Sequence, residues 1–189
     1  MRARATRRAI AGLVLGVLSV ANPGVRAEPP PEPQGYRTDN YRAPTPATIA
    51  GGTALDTPAA RQLWKDGGAV WIDVLGAPHR PANLPASATW LPLPRRDIPG
   101  SFWLPDVGRG ELNAKLEAYF RTNLDRAAKG RRNAAVVFYC LANCWMSWNA
   151  AKRAASWGYT RVYWYRDGTD GWEAAQLPLA AAAPVPGSQ

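Results

Sequence analysis

Strand-like and helix-like segments alternate through the middle of this sequence, and this alternation restricts the fold more than any other feature. Short apolar runs rich in β-branched and aromatic residues predict strands, and amphipathic stretches bounded by Gly, Pro or capping residues predict helices. The predicted strands are 69–75, 101–104, 134–139 and 161–165, and the predicted helices are 56–65, 111–128, 147–157 and 172–175. This order predicts an α/β fold, in which a parallel sheet is flanked by helices on both faces.

The first 27 residues have the pattern of a secretory signal peptide. Arginines precede a 13-residue apolar run, 9–21, which is too short to span a bilayer, and Val25-Arg26-Ala27 is typical of a cleavage site. We therefore expect export to the periplasm with cleavage near Ala27. The pair Arg7-Arg8 faintly resembles a twin-arginine signal, but paired arginines are common in leaders, which favours ordinary Sec export.

The rest of the chain divides into three parts. We predict a Pro-rich, extended segment at 28–54, one domain at 55–179, and a loose Ala/Pro-rich tail at 180–189. The domain is long enough to form a real hydrophobic core. No apolar stretch after residue 27 is long enough to predict a membrane span.

The formal net charge of +9 is lower once the predicted leader is removed. Five of the 23 basic residues and none of the 14 acidic residues lie in the predicted leader, so the excess after cleavage is four. Arg95-Arg96 and Arg131-Arg132 are predicted to be isolated pairs at loop ends. This distribution indicates an ordinary solvated surface and no nucleic-acid partner.

The only two cysteines, Cys140 and Cys144, fall between the strand 134–139 and a helix whose predicted N-cap is Ser147. Such a loop turns backbone N–H groups inward, and the helix N-terminus adds positive potential, so a thiol there should ionise readily. Export permits a Cys140–Cys144 disulfide, although a bond closing so small a loop would stabilise the fold little. The pattern favours a redox or nucleophilic role over two buried structural cysteines.

Four segments, in this order, resemble the rhodanese-like domain family. They are Val70-Trp71-Ile72-Asp73-Val74, Asp97-Ile98-Pro99-Gly100-Ser101, Val137-Phe138-Tyr139-Cys140, and Gly158 to Tyr163 followed by Gly168, Gly171-Trp172 and Leu177-Pro178. The resemblance covers about 55–179 and implies the rhodanese-like fold, with Cys140 at the position of the nucleophile. Asp97 replaces the usual histidine, and Met146 stands where catalytic loops usually carry an arginine. The resemblance therefore implies weak transfer from an anionic donor such as thiosulfate.

The Cys-x-x-x-Cys-Trp pattern narrows this resemblance. It is similar to exported rhodanese-like proteins associated with catabolism through pyrroloquinoline quinone (PQQ)-dependent alcohol dehydrogenases. Membership implies a periplasmic helper of that pathway, with its redox or dehydrogenase components as partners and an association with its redox cofactor. No residue of the chain is identified as a PQQ ligand.

Two functions from different classes remain open. In the first, Cys140 attacks or carries a sulfur atom, and Cys144 resolves the adduct as a disulfide. In the second, the chain is a non-catalytic binding module whose loop, flanked by Trp145 and Trp148, grips a partner or a planar cofactor. In both, the predicted loop and substrate-binding residues are Leu141, Ala142, Asn143, Trp145 and Met146.

The other polar residues are expected to be structural. His79 is the only histidine, and with two cysteines it falls short of a closed zinc site, so no metal site is predicted. Asp73 is expected to accept hydrogen bonds from loop amides. Asp167 and Asp170 are expected to make turn and cap hydrogen bonds.

Overall fold

The structure is a computed structural model that describes residues 28–187, so the predicted signal peptide lies outside the described part of the chain. Over these residues it contains seven strands and four helices. In chain order they are β1 (Thr53–Leu55), α1 (Thr57–Asp66), β2 (Ala69–Asp73), β3 (Arg96–Asp97), β4 (Phe102–Trp103), α2 (Ala114–Ala127), β5 (Ala135–Tyr139), α3 (Trp145–Ser156), β6 (Arg161–Tyr165), α4 (Gly168–Ala174) and β7 (Ala180–Ala181).

Five of these strands form a parallel sheet in the order β1-β6-β5-β2-β4. The central strand β5 is buried at every position and pairs Ala135 with Ala69 of β2 and with Arg161 of β6. A parallel strand covered on both faces is expected to be a continuous apolar run, and β5 has that composition. The α/β fold predicted from the alternation of elements is confirmed.

Successive side chains of β5 point to opposite faces and enter two separate hydrophobic clusters. Val136 and Phe138 pack in the larger cluster, which includes residues of α2 and α3. Val137 and Tyr139 pack in the smaller one, which includes residues of α1 and α4. The predicted placement of helices on both faces is therefore confirmed.

Several element boundaries differ from the predictions because capping groups and edge pairing, which periodicity does not report, decide them. Helix α2 begins three residues later than predicted, because Asn113 caps it by accepting a hydrogen bond from Leu116 N. Strand β1 spans the predicted boundary between the extended segment 28–54 and the domain, and it forms an edge of the sheet by pairing with β6. Helix α4 begins at Gly168 instead of residue 172.

The prediction that residues 180–189 form a loose tail is wrong for most of the described residues among them. Strand β7 pairs antiparallel with β3, with Asp97 opposite Ala180. Beyond it, the Val185 amide donates to the Trp103 carbonyl at 2.9 Å, and the Tyr119 hydroxyl donates to the Val185 carbonyl at 2.8 Å. These bonds use the backbone of the tail, which is why its Ala/Pro composition does not reveal them.

Within residues 28–187, no helix has both the length and the apolar character needed to cross a bilayer.

Candidate functional site

The cysteine loop lies at the carboxyl edge of the parallel sheet, where α/β proteins commonly place their sites. Cys140 directly follows β5, and Cys144 directly precedes α3. The end of the neighbouring strand β2 brings Asp73 to the same edge. The sheet therefore collects the predicted loop residues and a buried carboxyl group in one region.

Cys140 and Cys144 form a disulfide, with Cα atoms 6.4 Å apart. Their exposed fractions are 0% and 2%, and both belong to the larger core cluster. The expectation that the loop keeps these cysteines out of the core is therefore wrong. The loop curls back toward its own start, so that Cys140 Sγ lies 3.6 Å from the Cys144 carbonyl oxygen.

Ser147 is not the N-cap of the helix that follows, because α3 begins two residues earlier, at Trp145, with Cys144 in the cap position. The Ser147 hydroxyl is fully buried. It donates to the Cys144 carbonyl at 3.0 Å and accepts from Trp164 Nε1 at 3.0 Å. Ser147 therefore fastens the first turn of α3 to the end of the disulfide loop.

The loop amides were predicted to converge on the sulfur atoms, but two of them are bound by neighbouring segments. Ala142 N donates to an Asp170 carboxylate oxygen at 3.2 Å, and Trp145 N donates to the Tyr41 carbonyl at 2.9 Å. Asn143 is exposed and has a φ of 51°, a left-handed conformation that asparagine tolerates. The loop is thus held in place from outside on both sides of Asn143.

Met146 occupies the position where the resemblance led us to expect an arginine, and it is 7% exposed. It is the second residue of α3, and Gly108 packs so closely on its backbone that any Cβ there would collide. A cation at Met146 would therefore be desolvated in the core cluster. This packing explains why the loop carries an apolar side chain at this point.

Arg95 is the main site residue that the sequence analysis missed. Its Nε lies 2.7 Å from Asp73 Oδ2, and the exposed fractions of the two side chains are 11% and 0%. Arg95 Nη1 donates to Thr169 Oγ1 at 3.3 Å, and Thr169 N donates to the Cys140 carbonyl at 2.9 Å. Arg95 is therefore not part of an isolated surface pair. The sequence feature that could have identified it is Asp73 at the end of a buried strand, because a buried carboxylate needs a counter-charge.

Asp73 also accepts a hydrogen bond from Leu75 N at 2.9 Å, which confirms its predicted contact with a loop amide. Burial raises the pKa of Asp73 to about 6, and the Arg95 charge acts in the opposite direction. Burial and, second, the Asp73 charge raise the pKa of Asp97 to about 6. This edge of the sheet thus holds two buried carboxyl groups whose pKa values are both raised to about 6.

Tyr139 joins this cluster from the last position of β5. Its hydroxyl accepts from Ile98 N at 3.0 Å and donates to Ser101 Oγ at 2.7 Å. Burial, with the charges of Asp73 and Asp97, raises the pKa of Tyr139 well above its usual value. The phenol is therefore a neutral group that ties the residues after β3 to the central strand.

A cleft of about 600 Å³ opens beside the loop, against the Pro-rich connection between β2 and β3. Its apolar wall includes Leu75, Trp103 and Leu141, and its charged residues are Arg95, Arg96, Asp170 and Glu173. The loop thus borders a mostly apolar space with charges of both signs.

The remaining polar predictions are resolved by direct contacts. His79 Nε2 lies 3.4 Å from Asp106 Oδ2 and makes no contact with the cysteines. Over residues 28–187, no three His, Cys, Asp or Glu side chains are grouped to hold a metal ion. Asp167 accepts from Thr57 Oγ1 at 3.0 Å, so its bond ties α4 to α1 instead of making a local cap.

Comparisons with known proteins give one family model and several solved structures. The family model for the rhodanese-like domain matches residues 59–175. No curated protein matches the chain. Solved structures with similarity include a polysulfide-sulfur transferase homodimer from Wolinella succinogenes, with 20% identity over 69% of this chain and 80% of that one, and a TM-score of 0.44.

Two further structures are similar at comparable distance. A thiosulfate sulfurtransferase from Pseudomonas aeruginosa has 18% identity over 70% of this chain and 21% of its own, with a TM-score of 0.47. A human single-domain sulfurtransferase has 24% identity over 64% of this chain and 95% of its own, with a TM-score of 0.40. The family model covers more than half of the sequence, and the chain therefore belongs to the rhodanese-like domain family.

Proposed function

We propose that this protein is a periplasmic thiol-redox protein in which Cys140 and Cys144 alternate between a dithiol and a disulfide. The observation that carries this proposal is the disulfide itself, which joins the residue after the central strand to the N-cap of α3. The buried, apolar Met146 supports thiol exchange over transfer from a small anion, because no cation lies at that position of the loop.

The exchange needs only the two thiols and a disulfide-bearing partner. In the reduced protein, the Cys140 thiolate attacks one partner sulfur, a mixed disulfide forms, and the other partner sulfur leaves as a thiolate. The Cys144 thiolate then attacks Cys140 Sγ, which closes the internal disulfide and releases the second partner thiolate. Two electrons pass to the partner, which takes up two protons. A dithiol reductant of the same compartment restores the pair by the reverse steps.

The same pair supports a sulfur-carrier form of this chemistry. The Cys140 thiolate takes the terminal sulfur of a partner persulfide, the partner leaves as a thiolate, and the inner sulfur of the new Cys140 persulfide lies within reach of Cys144. Attack by the Cys144 thiolate on that inner sulfur forms the internal disulfide and releases hydrosulfide. The redox step is then the same, and only the leaving group differs.

Two sequence features support the cellular context. The predicted leader supports export, and the Cys-x-x-x-Cys-Trp pattern resembles that of exported proteins linked to PQQ-dependent alcohol catabolism. On this proposal the redox or dehydrogenase components of that pathway are the partners.

A second function, a non-catalytic binding module for a partner protein or redox cofactor, is favoured by one observation. Both sulfur atoms are buried, while an apolar cleft of about 600 Å³ lies open beside the loop at Leu141. In that case the disulfide only shapes the wall of the cleft.

An equilibrium redox titration separates the two functions. The native protein is incubated to completion in buffers of defined dithiothreitol ratio, quenched with an alkylating reagent and weighed by mass spectrometry. We expect a reversible two-electron couple. With oxidised glutathione, whose single thiol cannot cyclise, we expect Cys144→Ser to accumulate a mixed disulfide at Cys140, and we expect Cys140→Ser to form its mixed disulfide more slowly. A bond that is not reduced reversibly in the folded protein would support the binding module.

A further inference from the structure

A segment before the domain runs across the disulfide loop, and we name residues 33–48 the strap. Arg42 pairs with Cys144 in an isolated antiparallel bridge, and the Tyr41 carbonyl accepts from Trp145 N at 2.9 Å. The Arg42 side chain lies 3.8 Å from Asp170, whose carboxylate also binds the loop amide of Ala142. The strap therefore lies against the same loop that contains the disulfide.

One face of α3 holds the strap. Trp145, Trp148, Asn149 and Lys152 follow the i, i+3, i+4, i+7 spacing that places side chains on one side of a helix. Each donates to strap backbone carbonyls, at 2.8 to 3.1 Å. Trp145 donates to the Pro44 carbonyl, Trp148 to that of Thr48, and Asn149 to that of Arg37. Lys152 donates to the carbonyls of both Pro33 and Gln34.

This face recognises the main chain more than particular side chains. Asn149 also accepts from Arg37 N at 2.9 Å, so its amide both donates to and accepts from the backbone of one residue. From Pro33 to Pro44 the acceptors run toward the N-terminus of α3, and Thr48 turns back to Trp148, so the strap bends over this face instead of crossing it in one extended run. Backbone carbonyls are present in every polypeptide, and the donors on α3 therefore suit a bent segment of varied sequence.

The strap is the part of this cover that lacks regular secondary structure. Thiol–disulfide exchange requires access of the attacking thiolate to a sulfur, yet Cys140 and Cys144 are 0% and 2% exposed. The disulfide otherwise packs among buried strand and helix residues of the larger cluster. The strap, apart from the bridge at Arg42, contains no helix or strand, and such segments open at low free energy.

From these contacts we infer that the donor face of α3 is a peptide-binding site occupied by the chain's own strap. A cysteine-bearing segment of a redox partner replaces the strap there, and its main chain takes the same donors while its sulfur reaches the disulfide. This inference rests on the proposed function for the chemistry of the partner. The face itself is defined by the strap contacts alone.

The first test measures whether the strap covers the disulfide. The Tyr41 side chain packs against the core cluster, and its hydroxyl accepts from Gly110 N at 3.0 Å. The substitution Tyr41→Ala removes these contacts and so loosens the strap, while every donor side chain of α3 is kept. We expect the rate of disulfide reduction by dithiothreitol to rise about tenfold, which corresponds to 1.4 kcal/mol of easier opening. Tyr163→Ala is the matched control, because Tyr163 is a half-buried tyrosine packed on the other cluster. Equal rates in both variants would overturn the inference.

The second test measures binding in trans, with a labelled peptide of the strap sequence, residues 33–48, and a peptide of the same composition in scrambled order. The attached strap competes with the peptide for the face, and its effective concentration is in the millimolar range. A peptide at 0.1 mM is roughly tenfold below that concentration, so the unaltered protein should bind neither peptide. Tyr41→Ala should bind both peptides, and adding Lys152→Met should weaken binding about tenfold, because the charged donor to two carbonyls is lost. No binding by Tyr41→Ala would overturn the inference.

The two proposals fail in different ways. If the disulfide is not a reversible couple at equilibrium but Tyr41→Ala still binds both peptides, the proposed redox function is wrong and the peptide-binding face stands. If the couple is reversible but loosening the strap changes neither rate nor peptide binding, the peptide-binding face is wrong and the redox function stands.

Discussion

Replacing Arg95 with methionine tests how the buried carboxyl group beside the disulfide loop is stabilised. Arg95 is the only cation within hydrogen-bonding distance of Asp73 among the contacts described, at 2.7 Å, and Asp73 is fully buried. Methionine keeps much of the length and apolar stem of arginine but removes the charge. The substitution therefore leaves a carboxylate in the core without a counter-charge.

The size of the effect depends on the charge of Asp73. Its pKa in the folded protein is about 6, above the ordinary value of 3.8, so the folded state binds this proton more tightly than the unfolded state. Stability linked to Asp73 therefore falls as the pH rises from about 4 to 6, and loss of Arg95 raises the pKa and extends the fall above pH 6. We expect Arg95→Met to cost about 3–5 kcal/mol at pH 8, as for a broken buried ion pair, and about 1 kcal/mol at pH 5.

Urea unfolding at pH 5 and pH 8, followed by tryptophan fluorescence, measures both costs. Arg96→Met is the matched control, because the side chain of the neighbouring Arg96 is exposed and donates to the Leu179 carbonyl, so it should cost less than about 1 kcal/mol at either pH. Asp73→Asn in the Arg95→Met background should reduce the difference between the two pH values, and the remainder belongs to Asp97, whose pKa the Arg95 charge also lowers. An equal cost of Arg95→Met at pH 5 and pH 8 would refute the reasoning.

Three further outcomes are expected. Asp97→Asn should flatten the loss of stability between pH 4 and 6 (about the ordinary aspartate pKa and the folded value of about 6) in urea unfolding, because it removes one carboxyl group whose pKa is raised; an unchanged slope would contradict this. Thiosulfate:cyanide sulfurtransferase assays should show low turnover, and robust turnover would count against thiol exchange as the main chemistry. Met146→Arg should lower the melting temperature, because it places a charge at a buried position. The exported protein should begin at Glu28 by N-terminal sequencing, and a leader retained in the membrane fraction would contradict the predicted export.

The fold could be predicted because its signals are local. The runs that became β2, β5 and β6 are apolar at nearly every position, since both faces of the sheet are covered. The order of strand, cysteine loop and helix is continuous in the sequence, so it placed all seven loop and cysteine residues together without long-range information. Short edge elements such as β1 and β7 were missed because backbone pairing at a sheet edge leaves little trace in side-chain pattern.

The sequence by itself determined that two cysteines would stand between the central strand and the following helix, because that spacing is covalent. Only the tertiary structure decided how deeply they are buried. The strap lies about 100 residues earlier in the chain, and its backbone carbonyls accept hydrogen bonds from side chains of α3. Arg95 lies 22 positions after Asp73 and forms an ion pair with it. Contacts of this kind depend on where distant segments meet in space, and burial, counter-charge and access to the disulfide all follow from them.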